Sequence, residues 1–89
     1  MKVLKFYADW CGPCKAQASL FEKASFEVES INVDKEENEN LVEKFGIKGL
    51  PTSVLVDDEG KEITRFVGLT LLPKFEAAIT KYKNETNRK

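Results

Sequence analysis

The stretch Asp9-Trp10-Cys11-Gly12-Pro13-Cys14-Lys15 holds both cysteines of the chain, with two residues between them. Its flanks restrict the available folds more than any other feature. Lys2-Val3-Leu4-Lys5-Phe6-Tyr7 before it is short and strand-like, and Ala16 to Ala24 after it is rich in helix formers. A strand therefore delivers Cys11 to the start of a helix. Side chains three positions apart on a first turn are neighbours, so the two sulfurs fall within bonding range. They can then cycle between dithiol and disulfide with little backbone movement. The helix N-terminus carries about half a positive charge and unpaired N–H groups, which favour a thiolate on Cys11. Pro13 suits a first turn, where its missing N–H costs nothing. Gly12 leaves the flank of Cys11 open to another protein's disulfide, and Lys15 adds a nearby positive charge. Cys11 is the better attacking sulfur and Cys14 the better resolving one.

The rest of the chain is expected to serve as a scaffold of one domain, residues 1–89, since its 89 residues approach an ordinary domain's length. A chain this short buries only about 60% of its unfolded surface, so stability should be modest. Fourteen basic against fifteen acidic side chains give a net charge of −1. That balance argues against a nucleic-acid or anionic-membrane partner. No run approaches the roughly 18 apolar residues of a spanning helix, and Met1 opens directly onto a strand without a signal-peptide pattern. A soluble, cytoplasmic monomer is expected.

In chain order, residues 2–7 read as a strand. Residues 12–25 read as a helix with Cys14, Ala18 and Phe21 along one face and Leu20 and Ala24 beside it. Residues 26–33 read as a second strand. Asp34 with Glu37 forms a capping-box signature for a helix running to Phe45, with Leu41, Val42 and Phe45 inward and Gly46 as its stop. Pro51 to Val56 and Glu62 to Val67 read as two antiparallel strands joined by the turn Asp57-Asp58-Glu59-Gly60. Thr70 is placed to cap a last helix that buries Leu72, Phe75, Ala78, Ile79 and Tyr82. Residues 83–89 are polar and are expected to fray. The order is βαβαββα, an α/β arrangement in which the first two strands are parallel.

Along nearly its whole length the chain resembles thioredoxins. Trp10-Cys11-Gly12-Pro13-Cys14-Lys15 matches that family's active-site motif in every residue. Phe45-Gly46-Ile47-Lys48-Gly49-Leu50-Pro51-Thr52 matches the segment that carries its cis-proline. Ile31-Asn32-Val33-Asp34 matches the end of a central strand, and Val67-Gly68 the glycine beside the substrate groove. The resemblance implies a thioredoxin-like fold, here a four-stranded mixed sheet with three helices. It also implies a thiol–disulfide oxidoreductase that reduces protein disulfides through a mixed disulfide on Cys11, resolved by Cys14. Trp10, Gly12, Pro13, Leu50, Pro51, Val67 and Gly68 would line the docking surface. A cis Pro51 would leave the Leu50 backbone free to pair with an extended substrate segment. The partners implied are disulfide-containing proteins and an electron donor, either a flavoprotein reductase of the thioredoxin-reductase type or glutathione. No bound cofactor is implied beyond the redox-active Cys11–Cys14 disulfide.

The chain also departs from that pattern. The family's N-terminal strand and helix are lacking, since Met1 falls where the second family strand begins, and the outline approaches the glutaredoxin branch. The lost strand would leave an edge uncovered. Lys5 stands where relatives usually bury an aspartate behind the cysteines. It either snorkels to solvent at that open edge, or sits partly desolvated, modulating the cysteine pKa values and exchanging protons as an amine.

Other chemistries fit less well. One Cys-x-x-Cys offers two of the usual four zinc ligands, and the chain has no histidine. A purely structural disulfide across so small a loop stabilises little. A glutathione-coupled redoxin, or a non-catalytic binding subunit using the same surface, are the remaining alternatives.

Overall fold

The computed structural model describes residues 1–86. Strands β1 (Lys2–Tyr7), β2 (Val28–Asn32), β3 (Thr52–Val56) and β4 (Glu62–Val67) form one sheet in the order β2-β1-β3-β4. β1 runs parallel to β2 and antiparallel to β3, and β3 runs antiparallel to β4. Helices α1 (Gly12–Phe21), α2 (Glu39–Phe45) and α3 (Leu72–Thr86) complete the expected order.

Strand alternation sorts the core onto two faces. Leu4 and Phe6 of β1, Ile31 of β2 and Val54 and Val56 of β3 pack with Phe45 of α2. On the other face Val3 and Leu55 pack with Phe21 of α1 and Phe75 of α3. There the rings of Phe21, Phe26 and Phe66 each lie between 5.0 and 5.7 Å from that of Phe75. Phe75 is 1% exposed, and burying such a ring contributes about 1.5–3 kcal/mol. β3 is buried along its whole length, as a strand between two helical layers must be.

Several expected boundaries move, each for a local reason. α1 ends at Phe21 instead of residue 25, because Lys23 and Ala24 donate to carbonyls three residues back and turn the chain. That turn folds Phe26 onto Phe21, with ring centres 6.1 Å apart. β2 is accordingly confined to Val28–Asn32. Asp34 does not cap a helix. The Asn32 side chain accepts the Asp34 N–H at 2.9 Å, a short 3-10 turn follows at Glu36–Asn38, and α2 starts only at Glu39. Gly46 ends α2 with φ +60, a left-handed conformation that glycine adopts freely. Thr70 does not cap α3 either: the helix begins two residues later, at Leu72, and the Thr70 hydroxyl donates to the Gly68 carbonyl. α3 continues through Thr86, so residues 83–86 of the expected frayed tail are helical, and 87–89 lie outside the described residues.

Candidate active site

The register of the sheet gathers the motif at one end. Phe6 pairs with Thr52, and Thr52 pairs with Val67. The C-terminal end of β1, the N-terminal end of β3 and the C-terminal end of β4 therefore lie side by side. The loop after β1 carries the cysteines, the loop before β3 carries Leu50 and Pro51, and the loop after β4 begins at Gly68.

Cys11 is the N-cap of α1, and its sulfur accepts the backbone N–H of Cys14 at 3.2 Å. The sulfur thus takes the place that a serine or aspartate oxygen fills at other helix starts, where negative charge is favoured. Cys11 and Cys14 are joined as a disulfide, with Cα atoms 5.3 Å apart. Pro13 lies in the first turn, as its fixed φ suits. Both cysteines are more enclosed than their exposed motif suggests, at 5% and 2% exposure, and they pack with Ala8, Tyr7, Val33 and Leu50. Access comes from the side: a methyl group built at Gly12 would meet nothing within 4 Å.

Trp10 is 72% exposed, and its indole N–H donates to the Asp34 carboxylate at 2.8 Å. That bond pins a large flat ring beside the disulfide and engages the carboxylate expected to cap α2. The Leu50–Pro51 peptide bond is cis. The Pro51 carbonyl accepts the Gly68 N–H at 2.7 Å, and Gly68 has φ +87, a backbone conformation that a side chain would strain. Val67 beside it is 67% exposed. Apart from Lys5, the residues singled out in the sequence thus lie on three adjoining loops or on the ends of α1 and β4 next to them.

Lys5 lies elsewhere than at an edge. β1 is an interior strand, and Lys5 pairs with Ser30 on one side and Ser53 on the other. It is 7% exposed, with its ammonium group 5.0 Å from the centre of the Tyr7 ring. Burial pushes the Lys5 amine below its ordinary pKa. A cleft of about 400 Å³ brings Lys5 together with Cys14, Asp9 and Lys15 behind the disulfide. Ser53, on the same face of the sheet, has a buried hydroxyl with no hydrogen-bond partner among the described residues.

Two contributors escaped sequence reasoning. Asp34 has the capping-box spacing to Glu37, and nothing local points to its bond with Trp10, 24 positions away. Gln17 is wholly buried on α1, and only its spacing of three from Cys14, on the inward face, hinted at that. Among the described residues no helix is long and apolar enough to cross a membrane, and no group of three or more His, Cys, Asp or Glu side chains could hold a metal ion.

Comparison with known proteins agrees with this geometry. The family profile described as thioredoxin matches residues 1–81. The chain is 37% identical over 70 residues to a thioredoxin of Chlamydia caviae, a match covering 75% of this chain and 68% of that protein. Among solved structures it is similar to the reduced thioredoxin pre-protein of Schistosoma mansoni, with 34% identity, a TM-score of 0.74 and coverage of 90% of this chain and 76% of that one. It is also similar to thioredoxin 1 of Thermosipho africanus, with 26% identity, a TM-score of 0.73 and coverage of 99% and 100%.

Proposed function

The chain belongs to the thioredoxin family of thiol–disulfide oxidoreductases, and on that premise we propose that it reduces disulfides in other proteins. In the reduced form the Cys11 thiolate attacks one sulfur of a substrate disulfide. A Cys11–substrate S–S bond forms, the substrate bond breaks, and the second substrate sulfur leaves as a thiolate that takes up a proton. Cys14 then loses its proton and attacks the Cys11 sulfur. The second substrate thiol is released, the substrate has gained two electrons, and the Cys11–Cys14 disulfide has formed. The observation that carries this reading is the Cys11 sulfur held at the cap of α1, in reach of Cys14.

Trp10, Gly12, Pro13, Leu50, Pro51, Val67 and Gly68 form the docking surface in this reading. Its support is that they gather at one end of the sheet, on the three loops there, the first turn of α1 and the last residue of β4. Lys5 serves as the proton acceptor for Cys14 in its neutral amine form, which burial makes more accessible by lowering the pKa. A cytoplasmic setting, where disulfides are kept reduced, suits a cycle that a flavoprotein reductase or glutathione must recharge.

The test is trapping. Cys14→Ser should accumulate a mixed disulfide with a protein substrate and turn over no further, whereas Cys11→Ser should form none. Turnover by the Cys11→Ser, Cys14→Ser double variant would end the proposal. Assays with NADPH plus a flavoprotein reductase, and separately with glutathione, identify the donor.

A further inference from the structure

Gln17 follows Cys14 by one turn on the buried face of α1 and is 0% exposed. Its amide nitrogen donates to the Thr70 carbonyl at 2.9 Å, and its amide oxygen accepts the Thr70 N–H at 2.8 Å. The side chain thus pairs with one residue's backbone as a neighbouring strand would. From Thr70 the connection continues: its hydroxyl donates to the Gly68 carbonyl at 3.0 Å, and Gly68 donates to the Pro51 carbonyl at 2.7 Å. One chain of hydrogen bonds therefore links the helix holding the sulfurs to both of the other loops. With Thr70 drawn inward, its neighbours Leu69 and Leu71 face outward, 52% and 60% exposed.

We propose that Gln17 is a positioning residue for substrate docking. It locks residues 67–71 against α1, so that Val67, Gly68 and Leu69 stand as a fixed wall that receives the polypeptide flanking a substrate's disulfide. This rests on the reductase reading above and adds to it a residue remote from the groove surface. An apolar side chain at position 17 would leave the Thr70 N–H and carbonyl buried without partners, and the segment would move toward water to recover them. The Gln17 amide bonds Thr70 and not the sulfurs. Its loss therefore weakens recognition of a protein substrate while sparing attack on a small, freely diffusing disulfide.

The test compares wild type, Gln17→Met and Gln17→Glu, all pre-reduced, in single turnovers followed by the fluorescence of Trp10. The substrates are insulin and 5,5′-dithiobis(2-nitrobenzoate). Gln17→Met should raise the half-saturating insulin concentration by about tenfold and speed Thr70 amide exchange. Its maximal rate and its rate with the small disulfide should stay within about twofold, as the loss of a buried hydrogen-bonded pair outside the reacting atoms implies. Gln17→Glu should approach wild-type half-saturation at low pH, where a protonated carboxyl can both donate to and accept from Thr70, and lose it at high pH. Equal losses on both substrates, or unchanged insulin half-saturation, would overturn the inference. If Gln17→Met does not fold, Gln17→Glu carries the comparison alone, and a pH response no different from wild type's overturns it. A wild-type protein that reduces neither substrate would overturn the reductase reading, and this inference with it.

Discussion

Lys5 and Tyr7 project from the same face of β1, with the Lys5 ammonium group 5.0 Å from the centre of the Tyr7 ring. The ring face is the favourable partner that the structure gives this buried cation, since Lys5 forms no ion pair among the described residues. Such a contact offsets about 0.5–2 kcal/mol, less than full desolvation of an ammonium group costs.

Lys5→Met should therefore stabilise the fold, by about 1 kcal/mol at pH 7, as when a buried charge gives way to an apolar side chain. The pH dependence follows from the lowered pKa. The folded chain releases the Lys5 proton at a lower pH than the unfolded chain does, so between those two values the unfolded chain binds more protons. Wild-type stability rises with pH across that window, which ends near the ordinary value of 10.5. The advantage of Lys5→Met in urea unfolding should accordingly shrink from pH 7 to pH 10. An advantage of equal size at both would show that the amine is not perturbed.

The same amine bears on the chemistry. Lys5→Ala should raise the pKa of Cys11, because a nearby positive charge is gone, or slow the attack by Cys14, because a nearby proton acceptor is gone. Alkylation rate against pH measures this directly, and a curve that superimposes on wild type would remove Lys5 from the mechanism.

Asp34→Ala should free the Trp10 ring, since their bond at 2.8 Å is the one hydrogen bond the indole makes among the described residues. Trp10 is the chain's one tryptophan, so its fluorescence anisotropy reports the change. We expect lower anisotropy and a loss of roughly threefold to tenfold in kcat/KM for a protein disulfide, with little change in melting temperature. Unaltered anisotropy would mean the ring is held by other contacts.

Asp57 organises the β3–β4 hairpin by accepting the N–H groups of Glu59 and Lys61, each at 2.9 Å. The bond from Lys61 is the main cause of its lowered pKa. A carboxylate with a lowered folded-state pKa stabilises above its unfolded value, and that contribution fades as pH falls through the folded value. Asp57→Ala should thus melt below wild type at pH 7, with the difference narrowing in acid. A difference that holds at pH 2 would contradict this.

Phe75→Ala should cost about 3–5 kcal/mol, because Phe75 is the ring around which Phe21, Phe26 and Phe66 gather. A small domain has roughly 5–15 kcal/mol in all, so chemical denaturation should show a transition shifted far toward water. A shift below about 1 kcal/mol would place the weight of that core elsewhere.

What the sequence reveals about this chain follows the range of the forces involved. β4, the left-handed Gly46 and the cysteines on the first turn of α1 depend on neighbours a few residues away, and their patterns are readable. The end of α1 depends on Phe26 reaching Phe75, and the fate of Asp34 depends on Trp10, so spacing rules place both wrongly. For Lys5 the sequence leaves open an edge or a partly desolvated site, and only the pairing with Ser30 and Ser53, from strands distant in the chain, puts it in the interior. Gln17 is the plainest case: its partner lies 53 positions away, and a glutamine on a helix gives no local sign that it will substitute for a strand.

β2 is five residues long and lies outermost, with Glu27, Glu29 and Ser30 turned to solvent along its margin. A second copy drawing alongside that fringe would bring its own carboxylates against these. At neutral pH the repulsion discourages the two molecules from zipping together. Salt weakens the deterrent, and crowded solutions of this protein should be most prone to gather there when dissolved ions screen those carboxylates.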